Sequence, residues 1–227
     1  MTGSLPDMTP FFERYVQHAR EADALFEHIR AEYPDFVVCR EQCSSCCHAL
    51  FDLSLVEALY INAEFHKRLP LGNARAAILD QADRADRQAA RIKRRVFKES
   101  MTGKDSNTIL AEVATESVRC PLLDTDERCI LYEARPITCR LYGVPTAIGG
   151  KSRTCGKTGF AQGGKYPTVA LDKMQQRLSA LSEELAAFLG TAYMDLASMY
   201  VPISSALLIE YGAAYLGIGG IRREKDK

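Results

Sequence analysis

Apolar residues recur at helical spacing from Phe12 through Tyr15, Val16, Ala19, Ala22 and Phe26 to Ile29, with Thr9-Pro10 upstream as an N-cap and first-turn proline. This predicts a helix over 10–32. Ser54-Leu55-Val56-Glu57 has the capping-box pattern and opens a second helix carrying Leu59, Tyr60 and Ala63 on one side, ended by Leu69-Pro70 and Gly72. Residues 73–99 are rich in Ala and Arg, with Asp80–Arg84 and Asp83–Arg87 at the supportive four-residue spacing. They predict a third, long helix facing mostly water. Val118, Cys120 and Leu122 alternate briefly, as a short strand or an extended run would. The stretch 143–166 is glycine-rich and basic and reads as a loop. Leu171, Met174, Leu178, Leu181, Leu185 and Phe188 then mark an amphipathic helix closed by Gly190, and a further apolar helical run extends to about Gly217 with a kink at Pro202. Arg222 to Lys227 read as a solvated tail. There is no internal repeat and no strand–helix alternation, so the expected class is mainly α.

With 227 residues the chain can bury a core without disulfide staples. Its 29 basic and 29 acidic residues cancel, which argues against a dedicated nucleic-acid binder. Met1 to Pro10 lacks a charged-then-apolar leader, and the apolar run from Leu196 to Ile209 is too short to span a bilayer and contains Pro202. The expected setting is cytoplasmic and reducing, without a membrane partner.

Eight cysteines then need a chemical reason. Cys39, Cys43, Cys46 and Cys47 fall in one short segment, and Cys120, Cys129, Cys139 and Cys155 in another. In a reducing compartment such clusters favour metal over disulfides. Thiolates are soft ligands that suit zinc and iron–sulfur clusters, and a metal would crosslink the two segments. Neighbouring Cys46 and Cys47 diverge in regular backbone, which predicts unequal roles, either on different metals or with one behind the other. Eight sulfurs would fill two zinc tetrahedra, whereas a cubane cluster needs four thiolates. The crowded cysteines and the Cys120-Pro121 step tilt the reading toward iron–sulfur, with zinc kept open.

Cys43-x-x-Cys46-Cys47, Cys120-Pro121-Leu122-Leu123, and Cys129-Ile130-Leu131-Tyr132 leading through Arg135-Pro136 to Cys139-Arg140 resemble the YkgJ-like cysteine-cluster proteins, a CxxCxxCC family of zinc- or iron-chelating domains. The resemblance spans roughly 39–155 and implies chelation of metal or cluster, but no agreed reaction. Cys39, separated from Cys43 by three residues rather than two, departs from the pattern.

Several competing readings share these residues. Cys39-x-x-x-Cys43-x-x-Cys46 has the spacing of radical S-adenosylmethionine enzymes, but Ser45 stands where those carry an aromatic, and the chain lacks their alternating strands. The cysteine-rich region of flagellin lysine N-methylase is similar too, although no glycine-rich nucleotide fingerprint follows a strand here. Gly149-Gly150-Lys151-Ser152 fails as a phosphate loop because Pro145 stands at the first glycine position. His48 is either a ligand or a histidine orienting its loop, the second being favoured, and His18, His28 and His66 sit on helices. Arg135 and Arg140 flank Cys139, where they either balance thiolate charge or make ordinary ion pairs. Arg91, Lys93, Arg94, Arg95 and Lys98 read as a solvated helix end.

The resulting expectation is a single domain, 1–227, in which a helical bundle-like body carries irregular cysteine-rich loops around a metal site. Its cysteine core is 39–155, and a C-terminal helical region, 166–219, packs on it. The function expected is metal or cluster binding in a structural, metal-handling or electron-transfer role. The second class is a cluster-dependent enzyme, for example one with methyltransferase-like activity. No catalytic residue can be named, because no carboxylate pair or nucleophile–base motif stands out.

Overall fold

A computed structural model describes residues 5–219 apart from 41, 42, 114 and 162. The fold is mainly α. Helix α1 (Thr9–Glu32) realises the first apolar stripe and buries Tyr15, Ala19, Ala22 and Ile29. Its N-cap is Met8 rather than Thr9, and the Asp7 carboxylate accepts the Thr9 N–H at 3.0 Å.

Helix α2 (Leu55–Arg68) starts at the capping box read from the sequence: Ser54 and Glu57 satisfy each other's backbone and side-chain groups. It runs through the centre of the molecule, packed by α1, α6 (Leu171–Leu189) and α7 (Ile203–Leu208). It therefore buries Val56, Ile61 and Phe65 as well as Leu59, not the single side expected, and Ala63 is exposed. Helix α3 (Asn73–Met101) buries only the narrow stripe Ile78, Ala82, Ala85, Ala89 and Ile92 and shows water the rest. Asp83 pairs with Arg87 as its spacing predicts. The basic end of α3 is not simply solvated. Lys93 holds Asp52 at 2.7 Å, and Arg95 pairs with Glu116.

Helices α4 (Ser106–Val113) and α5 (Ile137–Arg140) are short, and α5 packs on α1. Helix α6 buries Met174, Leu178, Leu181 and Leu185 and ends on Gly190 at φ 60°, the left-handed cap that glycine favours.

Two expectations fail. The glycine-rich stretch contains a hairpin of β2 (Thr146–Ile148) and β3 (Lys151–Arg153), turned by Gly149 and Gly150 at φ 56° and 74°. Strand β4 (Val169–Ala170) pairs parallel to β2 on its other edge. The apolar run after Gly190 is not a kinked helix. Val201–Pro202 forms β5, antiparallel to β1 (Asp52–Leu53), and Pro202 then caps the six-residue α7. Proline ends the strand without loss because it has no N–H to pair. Helix α7 is anchored polar as well as apolar. Asp86 of α3 accepts from Ser204 and Ser205, and the Asn62 amide donates to the Ala206 and Ile209 carbonyls at 2.9 and 3.2 Å. The brief alternation at 118–122 is not a strand, since Pro121 and Leu122 lie in a turn, and the expected tail at 222–227 lies outside the described residues.

Candidate metal centre

The two cysteine segments are joined by backbone. Cys46, Cys47 and His48 lie on a 3-10 turn, Ser45–His48, in which the Cys47 N–H closes on the Ser44 carbonyl at 2.8 Å. The extended segment before Cys120 runs beside that turn. Val118 N–H donates to the His48 carbonyl at 3.1 Å and Cys120 N–H to the Cys47 carbonyl at 2.7 Å. His48 Nδ1–H donates to the Ser44 carbonyl at 3.1 Å, which gives it the loop-orienting role favoured from the sequence.

A small loop folds the chain back between Cys120 and Cys129, and both line the same cavity. Asp124 Oδ1 accepts the N–H groups of Asp126 and Arg128 at 2.9 and 2.8 Å, and Glu127 takes φ 59° at the tip. Below it, Leu123 bridges Cys129, and Ile130 N–H donates to the Leu122 carbonyl at 2.8 Å. Cys139 is carried by α5, whose start is fixed when the Glu57 carboxylate accepts the Ile137 N–H at 3.2 Å.

These elements enclose one apolar cavity of about 50 Å³ lined by Cys46, Cys47, Cys120, Cys129 and Cys139, with Arg135 in its wall. A chamber that admits only a few water-sized spheres suits an inorganic centre better than an organic substrate, for which pockets of about 300–1,000 Å³ are usual. Cys39, Cys43 and Cys155 do not line it. The Cys39 thiol lies within electrostatic reach of Cys43, Cys155 and Cys46.

The electrostatics mark crowded sulfur. Burial first, and then neighbouring cysteines, push the Cys39 thiol up to about 11 and the Cys120 thiol up to about 12, and burial raises Cys129. Cys139 and Cys47 are raised chiefly by donating hydrogen bonds to Cys46, and those two bonds hold Cys46 low. The backbone supplies countervailing donors: the N–H groups of Leu122 and Leu131, each two residues past a cysteine, lower Cys120 and Cys129. Several buried sulfurs competing for one negative charge, with amide N–H groups already turned to two of them, are a donor set that a soft cation would complete. As placed, no group of three or more His, Cys, Asp or Glu side chains among the described residues is arranged to hold a metal ion. The five sulfurs face one space without converging on a point.

Cys46 and Cys47 face the same space from adjacent positions. Both line the chamber, but Cys47 is buried, while Cys46 also neighbours Cys39.

The two arginines beside Cys139 separate clearly. Arg140 is buried and committed: Nε donates to the Arg135 carbonyl at 2.8 Å, Nη2 to the Glu133 carbonyl at 2.5 Å, and Nη1 to Asp23. Arg135 reaches Asp23 at 3.5 Å and stacks over Tyr132 at 3.9 Å, and its charge lowers both Cys46 and Cys129. Arg135 is thus the charge-balancing member, and Arg140 the structural one.

Tyr142 escaped the sequence reading. It is half-buried, its hydroxyl raised by burial and then by Cys155, Cys46, Cys139 and Cys43. Its only sequence signal is its place three residues past Cys139.

No helix among the described residues is long and apolar enough to cross a membrane. No curated protein and no solved structure matches the chain. A family model does match, over residues 38–156, from just before Cys39 to just past Cys155. With just over half its length matched, the chain belongs to the CxxCxxCC family, described as "Putative zinc- or iron-chelating domain".

Proposed function

We propose that Cys46, Cys47, Cys120, Cys129 and Cys139 hold an iron–sulfur cluster in the chamber, and that the protein serves in metal handling or electron transfer in a reducing compartment. The observation that carries this is five cysteine sulfurs around one small apolar cavity. A closed zinc site and a cubane cluster each take four thiolates, so one of the five stands behind the ligands; the crowded sulfurs and the Cys120-Pro121 step favour the cluster. Bound there, a cluster would supply one-electron chemistry. The residues' own part is to exclude water, present sulfur, and offset charge through Arg135 and the amides of Leu122 and Leu131. One domain, 1–227, fits this reading, because the main hydrophobic core draws from α1, α2, the cysteine segments and the C-terminal helices alike, beside a small second core of Ala85, Ile92 and Val118. Its cysteine core would be 39–155, with 166–219 packed on it.

A cluster-dependent enzyme is favoured by one feature. An open groove of about 540 Å³, lined in part by Arg84, Gln88, Arg119 and Asp124, reaches Cys120 from outside and is large enough for a small organic substrate.

The test is anaerobic purification followed by iron, zinc and acid-labile sulfide analysis and a visible spectrum. Iron with equal sulfide and broad visible absorption is the expected result. Zinc alone, with a colourless spectrum, replaces the cluster reading by a structural zinc site, and a folded protein free of both metals sinks either.

A further inference from the structure

We propose that Arg135 donates its Nε–H to a sulfur of the centre held in the chamber and so stabilises the negative charge of that centre. This deepens the reading above and rests on the chamber holding a thiolate-bound metal.

Four side-chain nitrogens or oxygens among the described residues are buried with no hydrogen-bond partner: His18 Nδ1, Arg75 Nε, Arg135 Nε and the Tyr211 hydroxyl. Of these residues only Arg135 also lines the cysteine cavity. A buried donor ordinarily finds an acceptor, and five cysteines share this wall. Both ends of the residue are pinned. Arg135 precedes Pro136, which confines it to extended backbone, and it sits at φ −57° and ψ 145°. Its own N–H donates to the Tyr132 carbonyl at 3.3 Å, and its carbonyl accepts from Arg140 Nε at 2.8 Å. At the far end Nη2 reaches Asp23 Oδ1 at 3.5 Å, and the guanidinium carbon lies 3.9 Å from the centroid of the Tyr132 ring. Backbone and tip are thus held separately, and Nε, between them, is kept from water without a partner.

The charge of the side chain agrees with this placement. A guanidinium is planar and permanently charged, so its Nε–H has a fixed direction and its cation does not switch off with pH. That cation lowers Cys46 and Cys129, which belong to different cysteine segments. In an apolar cavity such a charge acts more strongly than in water. Centres built on thiolates are rich in negative charge, and hydrogen bonds to their sulfurs, together with nearby charge, set how readily they accept an electron. Arg135 stays protonated whether or not that electron arrives. It therefore favours the state that carries the extra electron, and a thiolate-bound zinc ion gains from it in the same way.

The experiment uses the full chain, purified anaerobically with its native centre, and compares the wild type with Arg135→Met and Arg135→Lys. Methionine keeps much of the stem without charge or donor, whereas lysine keeps the charge and lacks the Nε–H. With an iron–sulfur centre the readout is the midpoint potential in an anaerobic dithionite titration, at matched iron and sulfide content. Arg135→Met is expected to hold about tenfold less reduced centre at a fixed potential, a midpoint about 59 mV lower for one electron, with Arg135→Lys between the two. With zinc the readout is loss to a chelator, about tenfold faster in Arg135→Met and less so in Arg135→Lys. The proposal is overturned if the methionine variant keeps its metal and matches the wild type in that readout. It is equally overturned if lysine restores the wild-type value, which would leave charge alone at work. Should Arg135→Met fail to fold or to load, Arg135→Lys decides by the same comparison. A loaded wild type with unmoved variants defeats this inference alone, whereas a wild type that holds no metal defeats the reading of the chamber and this inference with it.

Discussion

Arg140→Met isolates what holds Cys139 in place. Arg140 is 7 % exposed and uses all three of its nitrogens, on the carbonyls of Arg135 and Glu133 and on the Asp23 carboxylate. Methionine keeps much of the apolar stem and supplies no donor. Two partly buried carbonyls then lose their partner, at about 1–3 kcal/mol each. The Asp23 side chain is 38 % exposed and can rehydrate, so its share stays near the 0–1 kcal/mol, roughly, of a surface pair. The sum is about 4 kcal/mol, and at about 2–4 °C per kcal/mol for a chain of this size the melting temperature should fall by about 8–16 °C. Asp23→Asn keeps the carbonyl bonds and should cost only about 1 kcal/mol. Both are read by thermal and urea unfolding followed by far-ultraviolet circular dichroism, at fixed metal content. Equal losses in the two variants would show that the ion pair, not the carbonyl clamp, dominates. A loss below about 1 kcal/mol for Arg140→Met would refute the clamp altogether.

Gly143→Ala drives a methyl group against Cys39 Sγ and should speed alkylation of Cys39 by about tenfold as the thiol leaves its buried, proton-retaining position; peptide mass mapping of the modified cysteines checks it. Glu57 is a buried carboxyl raised by desolvation, so its contribution is full below the unfolded value of 4.5 and is lost as pH climbs through the folded value. The stability difference between wild type and Glu57→Gln should therefore favour the wild type most at low pH and shrink toward pH 7. Melting curves across that range decide the point, a constant difference counting against linkage.

The helices were readable because their signals are local. Ser54 with Glu57, the Ala-rich stripe of α3, and Gly190 each act within a turn or two of themselves. The β2–β3 hairpin was also within reach, since Gly149-Gly150 is a two-residue turn with both residues at positive φ. Its strands are too short, at three residues each, to announce themselves by alternation. The C-terminal run misled because apolarity without a clear period does not distinguish helix from strand. What decides at Val201–Pro202 is Asp52–Leu53, a partner far away in sequence. The same holds for the cysteines. Their spacing pointed to sulfur chemistry, but which five line one cavity depends on the Asp124 turn and the Glu57–Ile137 bond, contacts that spacing does not announce.

The hydrogen bond from Cys120 N–H to the Cys47 carbonyl has a consequence for how such a centre is assembled. Roughly seventy residues separate the two cysteines, and closing a loop that long costs chain entropy whatever closes it. Here amide pairing and the helices around it bear that cost, so an arriving metal has only side chains to order. If the chamber holds a metal as proposed, the ion's binding free energy goes to ordering sulfurs rather than to closing that loop.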